Sequence, residues 1–137
     1  MGYERTFVGL DVHARSVVGC AMDTVTGEVV QRRLGTSHGE IRRWLGELEG
    51  PVAVTYEAGP TGFGLVRDLR THEIRCLVAA PSKITRAPGD RVKTDARDAL
   101  LLARLLKLGD IVEVTVPSVA AEAARDLVRA REDCRGI

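Results

Sequence analysis

Three β-prone segments crowd into residues 6–34, too close together for anything but tight turns between them. Residues 6–11 form a short apolar run. Residues 16–23 are Val-rich and end at Thr24-Val25-Thr26-Gly27, a turn signal, and residues 28–34 alternate well enough for a third strand. Strands joined so tightly must run antiparallel. The pattern then changes. Ser37 precedes Glu40 by three residues, the spacing of a capping box, and Ile41, Trp44, Leu45 and Leu48 follow at helical intervals. Gly50-Pro51 ends that helix and residues 52–57 read as a fourth strand. After the Gly59-Pro60-Thr61-Gly62 loop, Phe63, Val66 and Leu69 mark a second helix, and residues 74–79 a fifth strand closed by Pro81. Strands separated by helices are parallel crossovers. The expected fold is α/β: a mixed five-stranded sheet, its three N-terminal strands antiparallel, with flanking helices on both faces.

Past the sheet the chain turns polar and basic. Residues 81–93, punctuated by Pro88-Gly89, are expected to be a loop or a broken helix, and residues 95–106 a helix. Residues 111–116 suit a short extended piece. A last helix is expected from Ser118 to about Arg135, with Ala120, Ala123, Ala124, Leu127 and Val128 on one side. The order βββ-α-β-α-β-α is that of the ribonuclease H-like fold, although order alone suits other α/β folds.

Composition narrows the function. With 137 residues, 45% hydrophobic and 28% charged, the chain can build one compact core. A net charge of +1 excludes a uniformly basic nucleic-acid coat, and 4% aromatics argue against an open base-stacking surface. No apolar run approaches the ~18 residues of a membrane span. The N-terminus has no apolar signal region, and its formal myristoylation pattern (Gly2, Thr6) falls where a strand should begin. Cys20, Cys76 and Cys134 lack metal-ligand spacing. A reduced, cytoplasmic protein with buried or inert thiols is expected.

Two acids stand at strand ends: Asp11 closes Val8-Gly9-Leu10-Asp11, and Glu57 closes the fourth strand. A charge at such a place must reach solvent, a partner or a metal. Asp95 and Asp98, three apart in Lys93-Thr94-Asp95-Ala96-Arg97-Asp98-Ala99, would project from one side of a helix. Brought together, two such charges about 4 Å apart repel by roughly 4 kcal/mol at an effective dielectric near 20. One or two Mg²⁺ ions, with Mn²⁺ as a substitute, would reverse that sign and suit a phosphodiester displacement. The competing reading gives Asp95 and Asp98 the roles of N-cap and first-turn acid, with no metal. His13 shares strand parity with Asp11, but a surface or turn role is the expectation for it, and His38 and His72 show no ligand spacing. No serine sits in a nucleophile motif, and the Gly59–Gly64 stretch lacks the Lys of a P-loop.

Charge is unevenly spread. Residues 81–107 hold seven basic residues (Lys83, Arg86, Arg91, Lys93, Arg97, Arg104, Lys107) against three acidic ones, +4 locally; against the total of +1 this leaves −3 elsewhere. Lys83, Arg86, Arg91, Lys93 and Arg97 are candidates to hold nucleic-acid phosphates.

Together, Gly9-Leu10-Asp11-Val12-His13, Tyr56-Glu57-Ala58-Gly59-Pro60-Thr61-Gly62, Pro81-Ser82-Lys83 and the Lys93–Ala99 block resemble the N-terminal RuvC-like domain of the DEDD transposases. This is the insertion-sequence one-ten family, which includes the Piv-type invertases. The resemblance spans roughly residues 6 to 107. It implies an acid tetrad of Asp11, Glu57, Asp95 and Asp98 and Mg²⁺-dependent DNA recombination. It also implies DNA and a structured guide RNA as partners and a bacterial setting, while the Ala/Leu/Val stripe of the last helix suits a homodimer or higher homo-oligomer, or a continuation of the chain. Family members continue into a coiled-coil region and a second, serine-bearing domain. Residues 1–116 are therefore expected to be the catalytic domain and 117–137 the start of a connecting helix, the chain being a piece of such a protein. Two rivals are a self-sufficient RuvC-like nuclease that resolves branched DNA and a non-catalytic RNA-binding or assembly module. A sugar-kinase-like ATPase lacks its phosphate loops here.

Overall fold

A computed structural model describes residues 4–81 and 91–135, with residues 91–95 and 129–135 described by their backbone alone. The elements are β1 (Thr6–Val12), β2 (Val17–Asp23), β3 (Val29–Leu34), α1 (His38–Glu47), β4 (Val52–Glu57), α2 (Gly64–Thr71), β5 (Arg75–Ala79), α3 (Arg91–Leu108) and α4 (Val119–Arg135). The strands lie in the order β3-β2-β1-β4-β5. β1 pairs antiparallel with β2 and β2 with β3, while β1–β4 and β4–β5 are parallel. This is the mixed, ribonuclease H-like sheet that the sequence order predicts.

The alternation of each strand divides the core between two faces. Val8 and Leu10 of β1, Val17 and Ala21 of β2, and Val54 and Tyr56 of β4 pack with Ile41, Trp44 and Leu45 of α1 and Leu65, Val66 and Leu69 of α2. The other face carries Val18 and Cys20 of β2 against Ala99, flanked by Ala96 and Leu100 of α3. Burying a Val, Leu or Ile stabilises by about 1.5–3 kcal/mol, so the α1/α2 face supplies most of the cohesion. On the α3 face Leu102 and Leu106 are buried too, but Ala99 and Ala103 lie opposite β1 and let the helix come close. A Cβ on Gly9 would lie 2.0 Å from the Ala99 carbonyl oxygen and 2.8 Å from the Ala103 nitrogen, so helix and strand touch backbone to backbone.

Local signals operate where the sequence places them, with two adjustments. Ser37 caps α1 by accepting from the Glu40 N–H, but the Glu40 carboxylate reaches the Gly35 N–H, two residues before the cap. The expected extended piece near residue 113 pairs with the outer edge of β5. The Ala80 N–H donates to Val112 O (2.7 Å) and the Val114 N–H to Val78 O (2.8 Å). The larger difference is at α3, which begins at Arg91 and not at Asp95, so residues 91–93 are helix and not loop. Cys20 and Cys76 are buried as expected, and burial pushes the Cys76 thiol up to about 12. Among the described residues no helix is long and apolar enough to cross a membrane.

The last helix is anchored at its first turn. Ser118 Oγ accepts from the Ala121 N–H, and Glu122 accepts from Arg67 Nη1 at 2.5 Å and from the Phe63 N–H at 3.2 Å. Arg67 Nη2 also donates to Pro117 O (2.7 Å). Further along α4, Leu127 and Val128 are exposed.

Gly9→Ala should cost about 3 kcal/mol or more, because backbone cannot retreat as a side chain does. Gly46→Ala, in α1 with nothing within 4 Å of its missing Cβ, should instead stabilise by about 0.5–1 kcal/mol. Urea unfolding of the two variants reads both signs. Arg67→Ala, which leaves the half-buried Glu122 carboxylate short of a donor, should lose about 1–3 kcal/mol. It should also speed amide exchange at Phe63, where hydrogen-exchange mass spectrometry would register it.

Candidate active site

Asp11 is the penultimate residue of β1. Since Gly9 faces α3 and Val8 and Leu10 face the opposite core, Asp11 also turns towards α3. Its side chain is only 12% exposed, and one oxygen, Oδ2, lies 3.0 Å from His13 Nε2. His13 is set by the β1–β2 turn, where its N–H donates to Ser16 O at 2.9 Å. The histidine expected to be a mere turn residue is thus a partner of the acid.

Glu57 closes β4 on the same face. Gly9 pairs with Thr55 and Leu10 with Tyr56, so Asp11 and Glu57 are the next residues of two adjacent parallel strands. Neighbouring strands run about 4.8 Å apart. The crevice outside the carboxyl ends of parallel strands is where open α/β sheets bind ligands. Past Glu57 the chain bends away, with the Ala58 N–H on Ala79 O (2.8 Å) and the Gly62 N–H on Gly59 O (3.1 Å). Tyr56 holds that bend from below. Its buried hydroxyl accepts from the Val66 N–H at 3.2 Å and lies 3.5 Å from Gly62 O, and burial pushes its pKa up to about 12. Gly62, at φ 80°, leaves the space that the Glu122 carboxylate occupies.

Asp98 immediately precedes Ala99, the residue in contact with Gly9, and its Oδ2 is shielded from solvent. Asp95 occupies the helix position one turn before Ala99; its side chain lies outside the described residues. Because α3 starts at Arg91 and has no acid in its first turn, neither aspartate caps it. The capping alternative is therefore removed. Among the described residues, no three His, Cys, Asp or Glu side chains group as metal ligands, a statement that leaves Asp95 out. What is placed together is Asp11 beside Glu57, beneath the helix that carries Asp98. All are hard oxygen donors, the chemistry Mg²⁺ selects.

Of the candidate phosphate contacts, Arg97 is exposed on α3, one residue from Asp98. Arg91 and Lys93 belong to the first turn of α3, their side chains outside the described residues, and Lys83 and Arg86 lie wholly outside them. Sequence reasoning missed Tyr56, Arg67 and Glu122, which shape the loop after Glu57. Only the i, i+2 parity of Asp11 and His13 hinted at their contact.

With this geometry in place, comparison with known proteins is informative. The family described as Transposase, of the DEDD type of IS110, matches residues 8–135. The chain is 46% identical over 134 residues to the candidate transposase y4qE of Sinorhizobium fredii, covering 94% of this chain and 34% of that protein. It is 32% identical over 136 residues to the transposase for insertion sequence element IS1533 of Leptospira borgpetersenii, covering 96% of this chain and 39% of that one. The chain thus spans between a third and two-fifths of the length of these curated relatives. By its sequence and by the sheet it builds, this chain belongs to the IS110-type DEDD transposases.

Proposed function

We propose that this chain is the metal-binding catalytic domain of a transposase that cleaves and exchanges DNA strands in the bacterial cytoplasm. In this reading a structured RNA guides site choice, and copies associate through their helices. Residues 1–116 form the catalytic unit and 117–137 begin a helix connecting it to a further domain. The observation that carries the reading is the position of Asp11 and Glu57, each the next residue after the paired Leu10 and Tyr56 of adjacent parallel strands, with Asp98 on the helix packed over them. Membership of a transposase family supplies the substrate class.

The division of labour follows from the residues. Asp11, Glu57, Asp95 and Asp98 would hold Mg²⁺, or Mn²⁺ in its place. When bound, such ions stabilise the charge on the attacking and leaving oxygens of a phosphodiester displacement. His13 fixes the Asp11 carboxylate through Oδ2, as groups behind metal ligands commonly do. Close approach of Gly9 to Ala99 keeps the strand and helix acids at a constant separation. Lys83, Arg86, Arg91, Lys93 and Arg97 hold the flanking phosphates and offset the repulsion between the acids and the DNA backbone.

Calorimetry and thermal shift with Mg²⁺ test the metal role. The wild-type Tm should rise with Mg²⁺, and that of Asp11→Asn should not; equal responses would end this reading. In metal-free buffer Glu57→Gln and Asp98→Asn should be more stable than wild type by about 1 kcal/mol, because each removes one of the mutually repelling charges. For DNA, Arg97→Glu should weaken binding to any sequence alike and reduce the slope of log K against log salt by about 1. Unchanged affinity and slope would remove Arg97 from the interface.

A further inference from the structure

The β1 end has a second side. Val12, next to Asp11, faces away from α3 and lines a cavity of about 340 Å³ between the β1–β2 turn, the start of α1 and the β4–α2 loop. We propose that this cavity receives a nucleobase of the nucleic-acid strand whose phosphate lies at Asp11. The proposal rests on the reading of the acids given above and goes beyond it by assigning a base site on the opposite face of the sheet.

Size and chemistry favour a base over other ligands. The volume is in the range of sites for small organic molecules and far beyond a water site. Val12, Val17, Ile41 and Leu65 give it an apolar lining. The Thr36 and Thr61 hydroxyls, the backbone at Gly62, and His38 give it a polar rim. A heterocyclic base has this character, with two apolar faces and an edge of donors and acceptors. No Lys, Arg, Asp or Glu is among the residues that line it, so nothing there would neutralise a phosphate or carboxylate or gather a cation. His38 Cε1 lies 3.5 Å from where a Gly64 Cβ would stand, so glycine there leaves the imidazole its space.

Connection to the acids comes through His13. His13 is among the residues that line the cavity, and its Nε2 lies 3.0 Å from Asp11 Oδ2. A phosphate at the acids and a base in the cavity would therefore both adjoin residue His13, as the two parts of a nucleotide adjoin one sugar. Scarce aromatic residues count against an open stacking platform, but a half-open cleft can hold a base against its aliphatic walls.

The test separates base binding from backbone binding. Affinities of the full chain would be measured for oligothymidylate, oligouridylate and an abasic deoxy-oligonucleotide of equal length and charge. The wild type should prefer a base-bearing strand over the abasic one by roughly tenfold, the scale of one well-held base. Thr61→Trp and Thr36→Trp, two exposed rim positions that would plug the cavity, should bring that ratio to about one. Val25→Trp, in the β2–β3 turn, should keep it. Preference for thymidylate over uridylate assigns the site to DNA, and the reverse to RNA. ¹⁵N–¹H spectra with free thymidine and uridine should show shifts at Val12, His13, Ile41 and Leu65, lost in either rim variant. A ratio of one in the wild type, or a ratio that survives both rim variants, would overturn the proposal. If the base preference stands while abasic binding ignores Arg97→Glu and Glu57→Gln, the acid-site reading fails instead.

Discussion

The contact between Gly9 and the Ala99–Ala103 stretch of α3 sets everything around the acids. A helix normally stands off a sheet by the depth of two side-chain layers. Here Gly9 supplies none and Ala99 and Ala103 supply a methyl each, so the backbones meet. Asp11 lies two residues past the strand side of this contact, and Asp98 one residue before its helix side. Their separation is thus governed by peptide geometry, which is stiff, and not by rotamers, which are not. Apolar cohesion comes from the other face of the sheet, where Trp44, Leu65 and Leu69 are buried. The α3 face buries Val18, Leu102 and Leu106 as well, but at Gly9 it gives up bulk so that helix and strand meet.

Much of this was legible in the sequence, for physical reasons that can be named. Strand and helix periods, turn residues and the short spacing between the first three strands determine an antiparallel half joined to a parallel half. The sequence puts Asp11 and Glu57 at strand ends that could converge; that β4 lies directly beside β1 is visible only in the sheet. The start of α3 was not legible. Arg91, Lys93 and Thr94 carry no apolar periodicity, and Asp95 imitates an N-cap, which places the expected start four residues late. Long-range polar contacts were also hidden. Nothing local in Arg67 or Glu122 distinguishes them from surface charges, yet the pair joins residues 55 apart and sets the loop after Glu57. His13 was half legible, its parity with Asp11 being visible while the closeness of the turn was not.

The acids themselves show why a locally unfavourable arrangement can persist. Asp11 is largely shielded, Asp98 has a shielded oxygen, and Glu57 is half-buried beside Asp11. Protein groups ease part of the cost, His13 at Asp11 among them, but a fold selected for stability alone would place apolar residues here. Val18 and Cys20, on the same face, show that it would accept them.

Strand alternation then gives the end of β1 a property that neither acid site nor cavity has alone. Asp11 and Val12 are consecutive, so their side chains point to opposite faces, one into the charged crevice and the other into the uncharged cavity. No loop is needed to hold the two environments in register, because a single peptide links them and His13 adjoins both. A nucleotide has the same construction, an anion and an apolar heterocycle joined by a short rigid spacer. A strand end that presents a carboxylate and a valine on successive residues can therefore address both parts of one nucleotide, provided that its turn is tight enough to keep the intervening histidine in place. The His13 N–H to Ser16 O bond closes that turn.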